Sequence, residues 1–509
     1  MSKILLVHPG LIADDGTYYT IMPMGIVSIG DKLLKDGHEV KILNVALEKK
    51  KNKNFSFEEY LENFSPDFVG IDMQWYPYIY DSMLYAEISK RKGAKIILGG
   101  FNASIFAKDI IDRFNFIDGV IVGEAEIPFS ELVKSGIKED IPNLVYRDRN
   151  GRVVIPSKYI NSSEVLDELD FYNFDLIESK DYYLSSTSST GNYIITNSSY
   201  IPKKLYFLFL GRGCYKFCSY CSANVYNFSK FGIKKPVFRS PRVVVQDILR
   251  LQNMGVDMLH IEFDPHPFSE RFYRELLDEI RWKRFKIDLG INIGFWAGGL
   301  PHEDIIKGLA QVFPSKISVI ELSPESADQR IRRLNGRGDY SNEDLVDNLL
   351  KIKKNGFHAC VYFFCGLPFE TEKDVNKTID FAKYLRQKDI GLNLFVPSLE
   401  PGSPMWLHPN KYGVKIFRKT FEDFLYHSFC LKIGRFPEHP IGYETNFLSE
   451  KKIMELEMEA YSKIYLDLRY IMNRFKHSLK VSDNIYKKIK VSTSILFKNY
   501  KGIWEFKKT

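Results

Sequence analysis

The sequence predicts an α/β protein with a doubly wound parallel sheet over residues 1–135, a partial six-unit βα barrel over 205–404 and a mainly helical region over 405–509. Two observations predict the sheets: short apolar runs alternate with amphipathic segments in both halves, and the repeat lengthens after Leu205. A third sets the division. Residues 136–204 lose that periodicity and carry Ser185-Ser186-Thr187-Ser188-Ser189-Thr190-Gly191, so they read as a connector with some short strands.

The first strand is expected at Ile4–His8, followed by a helix over Gly25–Lys35 that the Asp36-Gly37 turn ends, and by a second strand at Glu39–Leu43. Phe68–Asp72, Lys95–Leu98 and Gly119–Val122 continue the sheet, with helices over Tyr78–Lys92 and Ala103–Phe114. Right-handed crossovers then give a doubly wound arrangement. Barrel strands are expected at Leu205–Leu210, Met258–Phe263, Asp288–Ile293, Ile317–Leu322, His358–Phe364 and Leu392–Val396. Helices fall at Pro241–Met254, Glu270–Trp282, Glu303–Val312, Asn342–Asn355 and Glu372–Arg386. Six units fall short of the eight that close a barrel, so a mouth stays open for substrate. After Pro404 the chain turns aromatic and basic. A long helix is expected over Lys451–Phe475, and the Lys-rich segment Lys480–Thr509 reads either as part of a helical cap on the barrel or as a surface that meets lipid headgroups.

At 509 residues the chain is long enough for roughly two to four domains, each with its own core. Its 45% hydrophobic, 27% charged composition is that of a globular protein. A net charge of +7 over this length does not point to nucleic acid, and no run of apolar residues is long enough to span a membrane. Six cysteines are too few for a disulfide scaffold. Three of them lie within eight residues, which suits metal binding in a reducing compartment, so a cytoplasmic location is expected.

Those three are Cys214, Cys218 and Cys221, in Gly211-Arg212-Gly213-Cys214-Tyr215-Lys216-Phe217-Cys218-Ser219-Tyr220-Cys221, directly after the first barrel strand. Three thiolates at CxxxCxxC spacing can hold three irons of a 4Fe-4S cube and leave the fourth iron open to a chelating ligand. A zinc site would want a fourth ligand, and Cys360, Cys365 and Cys430 lie far away without paired spacing. This loop after the first strand of a six-unit barrel resembles the radical S-adenosylmethionine (SAM) superfamily. The resemblance implies a 4Fe-4S cluster on the catalytic cysteines, SAM chelated at the open iron, and reductive cleavage to a 5′-deoxyadenosyl radical that takes a hydrogen atom from substrate. It places Tyr220 against the adenine. Ser323-Pro324-Glu325-Ser326 resembles the polar step after the fourth strand, with Glu325 and Ser326 approaching SAM. Gly366-Leu367-Pro368-Phe369-Glu370-Thr371 resembles the GLPGET turn, with Phe369 replacing the second glycine, and Pro401-Gly402-Ser403-Pro404 resembles a turn near the barrel's end. His260, Glu262 and Asp264 alternate onto one face of the second strand and are candidates for contact with SAM or substrate.

Residues 1–135 resemble the Rossmann-like, cobalamin-binding domain found upstream of many radical SAM barrels. The resemblance rests on Pro23-Met24-Gly25-Ile26, Asp36-Gly37-His38-Glu39-Val40, Gly99-Gly100-Phe101-Asn102-Ala103 and Gly123-Glu124-Ala125-Glu126. It implies cobalamin near Gly99, Gly100, Asn102 and Glu124, since glycines at strand ends let a large ligand approach the carboxyl edge. The chain departs from the pattern in having no DxHxxG motif, in Asn44 standing where Asp is usual, and in the bulky Trp75-Tyr76 pair. The expected reaction is methylation of an unactivated carbon of a small or lipid-like substrate. Radical cyclisation, C–C bond formation or rearrangement is the alternative. An electron donor such as flavodoxin or ferredoxin is the expected partner, with peripheral membrane contact through the basic C-terminal segment.

Overall fold

The computed structural model describes residues 1–12, 18–19, 21–138, 141–186, 204–261, 263–264, 268–297, 299–435 and 437–465. Met1–Glu457 form one compact unit and Met458–Thr509 a second. The expected helix after Lys451 is present as Glu450–Tyr465; the rest of it, with Lys480–Thr509, lies outside the described residues.

The N-terminal sheet is ordered Glu39–Asn44, Lys3–His8, Phe68–Asp72, Lys95–Gly99, Gly119–Ile121. These five strands are parallel. The order reverses between the first and third strands, the switch point at which doubly wound sheets open a crevice at their carboxyl ends. Leu144–Arg147 and Val153–Val154 then pair antiparallel on the far edge, so the start of the connector extends the sheet. Burial on both faces follows from the runs themselves: Ile4, Leu5, Leu6 and Val7 are all inside, as a parallel strand covered by helices requires.

The second sheet has six strands in sequential order, Leu205–Phe207, Met258–Ile261, Gly290–Phe295, Val319–Glu325, His358–Phe364 and Gly391–Phe395, all parallel. The first is shorter than expected because the chain leaves the sheet early: Gly211 and Arg212 pair antiparallel with Phe238 and Val237. The fourth runs further, through a register shift between Leu322 and Glu325 that turns Glu325 into the left-handed region at φ 67°. Several helix starts are fixed by side chains: Ser341 with Asp344, Thr371 with Asp374 and Thr420 with Asp423 each form a capping box.

The region after Pro404 also packs against the N-terminal half. Helix Phe421–Lys432 packs on the N-terminal half: Phe421 and Phe424 join its core beside Phe106, Ser428 donates to the Pro77 carbonyl, and Lys432 pairs with Asp81 at 2.7 Å. Two short strands, Val414–Ile416 and Tyr443–Thr445, pair within this mainly helical region.

Candidate functional site

A cavity of about 1080 Å³ opens at the carboxyl ends of the barrel strands. Cys214, Cys218 and Cys221 line it from the loop after the first strand. Gly211 permits that loop: a side chain there would come within 2.2 Å of the Val237 carbonyl. Cys218 is buried and the other two are half-buried. Cys360, Cys365 and Cys430 do not line this cavity. Among the described residues no group of three His, Cys, Asp or Glu side chains is gathered as for a single metal ion. Three thiols around one chamber would each hold one iron of a cube with one open corner.

Around the cysteines the loop is held from several sides. Ser222 donates to Glu400 through both its amide and its hydroxyl, at 3.0 and 2.7 Å. Asn224 and Asn227 donate to the Gly402 carbonyl, and the Met405 amide donates to Ser219, so the Pro401–Pro404 turn is a brace for the cysteine loop. Burial pushes the Cys214 and Cys221 thiols up, as expected of uncharged sulfur in a closed pocket.

Glu325 lines the cavity. One of its oxygens accepts from Tyr220 Oη at 2.6 Å, from Ser323 Oγ at 2.8 Å and from Arg337 at 2.9 Å, while Oε2 is buried without a partner. Burial raises its pKa and these donors oppose the rise. Arg337, which the sequence reading missed, also donates to Cys218 Sγ at 3.4 Å and to the Ser323 carbonyl at 2.6 Å. It ties the cysteine loop to the end of the fourth strand. Tyr220 lines the same cavity with its ring edge-on to Phe364 at 4.8 Å. Asp264 lines it too, accepting from Ser269 Oγ and the Ala297 amide, its pKa pushed up to about 6 by burial.

Other expected contacts lie elsewhere. Ser326 is fully buried against Thr378, outside the cavity. Gly366 is also outside it: at φ 89°, it faces Ile453, which a side chain would meet at 2.5 Å. The GLPFET turn has its own structural logic, because Glu370 accepts from the Gly366 and Leu367 amides and Thr371 caps the following helix. His260 is buried beside Phe207 and does not line the cavity; Glu262 lies outside the described residues. Trp296, Tyr362, Phe364 and Phe395 build an aromatic wall that the sequence reading did not single out, with Trp296 edge-on to Tyr362 at 4.8 Å. Tyr362 and Phe364 alternate at the end of the fifth strand beside Phe395 on the sixth, and that was the available signal.

The N-terminal edge meets the same chamber. Gly100, Phe101, Ser104, Gly123 and Gln74 line it, and a smaller cavity of about 210 Å³ continues along the carboxyl edge past Gly25, Asp72, Gly99 and Glu124. A Cβ on Gly25 or Gly99 would meet nothing within 4 Å, so these positions leave space that any side chain would fill, a cradle that fits a large cofactor. Gly100 is tighter: at φ 98° it lies 2.8 Å from the Gln74 backbone, measured from where a Cβ would stand. Asn102 braces this turn by donating to the Gln74 carbonyl at 2.6 Å, and does not line either cavity. Asn44 caps helix Val45–Lys51, and Tyr76 points to Ser398 and Arg418; neither Trp75 nor Tyr76 lines a cavity, so the bulky pair does not obstruct this edge.

Arg212 joins the two cavities. It pairs with Glu124 at 3.1 Å and with Glu126, and lies over Phe171 and Phe209. Burial works against its charge, but the two carboxylates hold its pKa above the ordinary value, and Arg212 in turn outweighs burial to hold Glu126 ionised. Ser28 and Ser162 complete the shell of Glu126.

Comparison with known proteins agrees with this geometry. Residues 208–382 match the Radical SAM superfamily and residues 14–133 the B12 binding domain. An uncharacterised methyltransferase of Pyrococcus horikoshii is 26% identical over 75% of this chain and 77% of its own length. The hopanoid C-3 methylase of Methylococcus capsulatus is 22% identical over 50% of this chain and 45% of that enzyme. The solved structure of the radical SAM methyltransferase TsrM from Kitasatospora setae, with cobalamin and a [4Fe-4S] cluster bound, shares the fold with a TM-score of 0.66 at 15% identity, over 92% of this chain and 91% of that one. The chain therefore carries a radical SAM domain preceded by a B12-binding domain, the domains that bring a 4Fe-4S cluster, SAM and cobalamin as cofactors.

Proposed function

We propose that this cobalamin-dependent methyltransferase methylates an unactivated carbon of a small, largely apolar or lipid-like molecule held against the aromatic wall. One observation carries the reading: the cysteine loop, the glycine edge of the N-terminal sheet and the wall of Trp296, Tyr362, Phe364 and Phe395 all line a single cavity. When bound, the cofactors supply a 5′-deoxyadenosyl radical for hydrogen abstraction and a methyl group for transfer.

The chain's own residues supply position and exclusion of water. Cys214, Cys218 and Cys221 hold the cluster, and Arg337 donates to Cys218 Sγ, which favours negative charge on that sulfur. Glu325 would face SAM from the cavity wall, with Tyr220 holding one of its oxygens in place. Gly99, Gly100 and Glu124 would border cobalamin at the sheet's carboxyl edge, where the small cavity meets the larger one that Gly100 also lines. The aromatic side chains keep water from the radical and give an apolar substrate its contact area. The likeness to a methylase named for hopanoids supports that substrate class. The basic stretch Lys480–Thr509 supports peripheral contact with a lipid surface, which co-sedimentation with anionic liposomes tests.

Anaerobic reconstitution with cobalamin, followed by absorbance spectroscopy and product analysis, is the deciding experiment. Bound corrinoid, with S-adenosylhomocysteine formed alongside 5′-deoxyadenosine, is the expected result. Deoxyadenosine without S-adenosylhomocysteine would replace methyl transfer by cyclisation or rearrangement.

A further inference from the structure

We propose that the segment Phe228–Pro236 is the docking site for an acidic one-electron carrier protein, with Lys230, Lys234 and Lys235 as its contact residues. The inference rests on the cluster reading above. The segment has two faces. Phe228, Phe231 and Ile233 line the cavity that holds the cysteines, whereas Lys230, Lys234 and Lys235 are exposed. Its backbone lies against the cysteine loop: a Cβ on Gly213 would stand 3.1 Å from Ile233 and 3.2 Å from the Pro236 Cα, and Arg212 pairs with Val237. The segment thus faces the cysteine chamber on one side and solvent on the other.

None of these three exposed lysines makes an ion pair among the described residues. Three unneutralised like charges within six residues repel one another, and they steer an anionic partner to this spot. The platform is fixed: the Gly232 carbonyl accepts from Asn161 at 2.8 Å, and the preceding Asn227 is tied to Gly402. The step is a simple exchange. The reduced carrier gives up one electron and is oxidised, the cluster gains it and is reduced by one unit of charge, and no bond or proton moves.

The test compares the reconstituted wild type with K230E/K234E/K235E and with the triple Lys→Arg variant, using a flavodoxin as the carrier and dithionite as a small reductant. Iron and sulfide content is measured first, so that a wild type without a cluster sinks the cluster reading, whereas a loaded wild type isolates the docking claim. At low salt, flavodoxin binding and flavodoxin-driven cluster reduction should each weaken about ten-fold or more in the Glu variant and persist in the Arg variant. Reduction by dithionite should be equal in all three. Carbodiimide cross-links from flavodoxin carboxylates, made even to the cluster-free chain, should map to these lysines. Unchanged flavodoxin binding in the Glu variant overturns the proposal, and so does an equal loss with dithionite. Loss of binding to phosphatidylserine vesicles with flavodoxin binding intact would assign the lysines to a membrane and overturn it as well.

Discussion

The carboxyl edge of the N-terminal sheet offers room and backbone, since Gly25 and Gly99 face open space and Gly100 and Gly123 stand where side chains would crowd. The corresponding edge of the barrel sheet is dense with side chains: Glu325, Arg337, Tyr220 and Ser323 interlock within hydrogen-bond distance. The difference teaches how the work is divided. A large preformed ligand brings its own chemistry and asks for a shaped space, whereas small reactants must be held in orientation by converging groups.

Removing the barrel's ligands should break one side of this comparison outright. C214A/C218A/C221A should lose cluster iron and all deoxyadenosine formation while still binding corrinoid; deoxyadenosine from that variant would contradict the assignment. Arg337→Ala comes next. It leaves Glu325 buried without its cation, and roughly 3–5 kcal/mol of stability should be lost, read by denaturant unfolding. Gly99→Leu attacks the other edge. Corrinoid affinity should fall at least ten-fold, about 1.4 kcal/mol, with iron content unchanged, and full corrinoid binding in that variant would show that the space is not used.

The remaining prediction is a pH dependence set behind the barrel edge. Burial pushes the Glu370 carboxyl from its ordinary 4.5 up to about 8, with the Gly366 and Leu367 amides opposing. Between those values the folded chain keeps a proton that the unfolded chain has released. Stability is therefore complete below about 4.5 and is lost as pH rises toward 8, by at most about 1.4 kcal/mol per pH unit. Glu370→Gln should flatten that slope in urea titrations between pH 5 and 8; an identical slope in the variant would remove Glu370 as its source.

The strands and helices were legible because parallel sheets write their pattern as apolar runs: all six barrel strands lie within a few residues of where Leu205, Met258, Asp288, Ile317, His358 and Leu392 announced them. The cysteine spacing and the GLPFET turn were legible as motifs, although Gly366 proves to serve the turn rather than the chamber. What stayed hidden was long-range pairing. Arg337 and Arg212 look like ordinary surface charges in sequence, and only the fold brings them to Glu325 and to Glu124 with Glu126, across 12 residues in one case and more than 80 in the other. The edge strands Leu144–Arg147 and Val153–Val154 are too short to show a period.

Arg212 stands two residues before the first cysteine and rests on the carboxylates that border the smaller cavity at the sheet's carboxyl edge. One guanidinium thus shares its anchorage between two ports that must each be filled before turnover. A change of affinity passed from one port to the other through this side chain would be returned by the same factor.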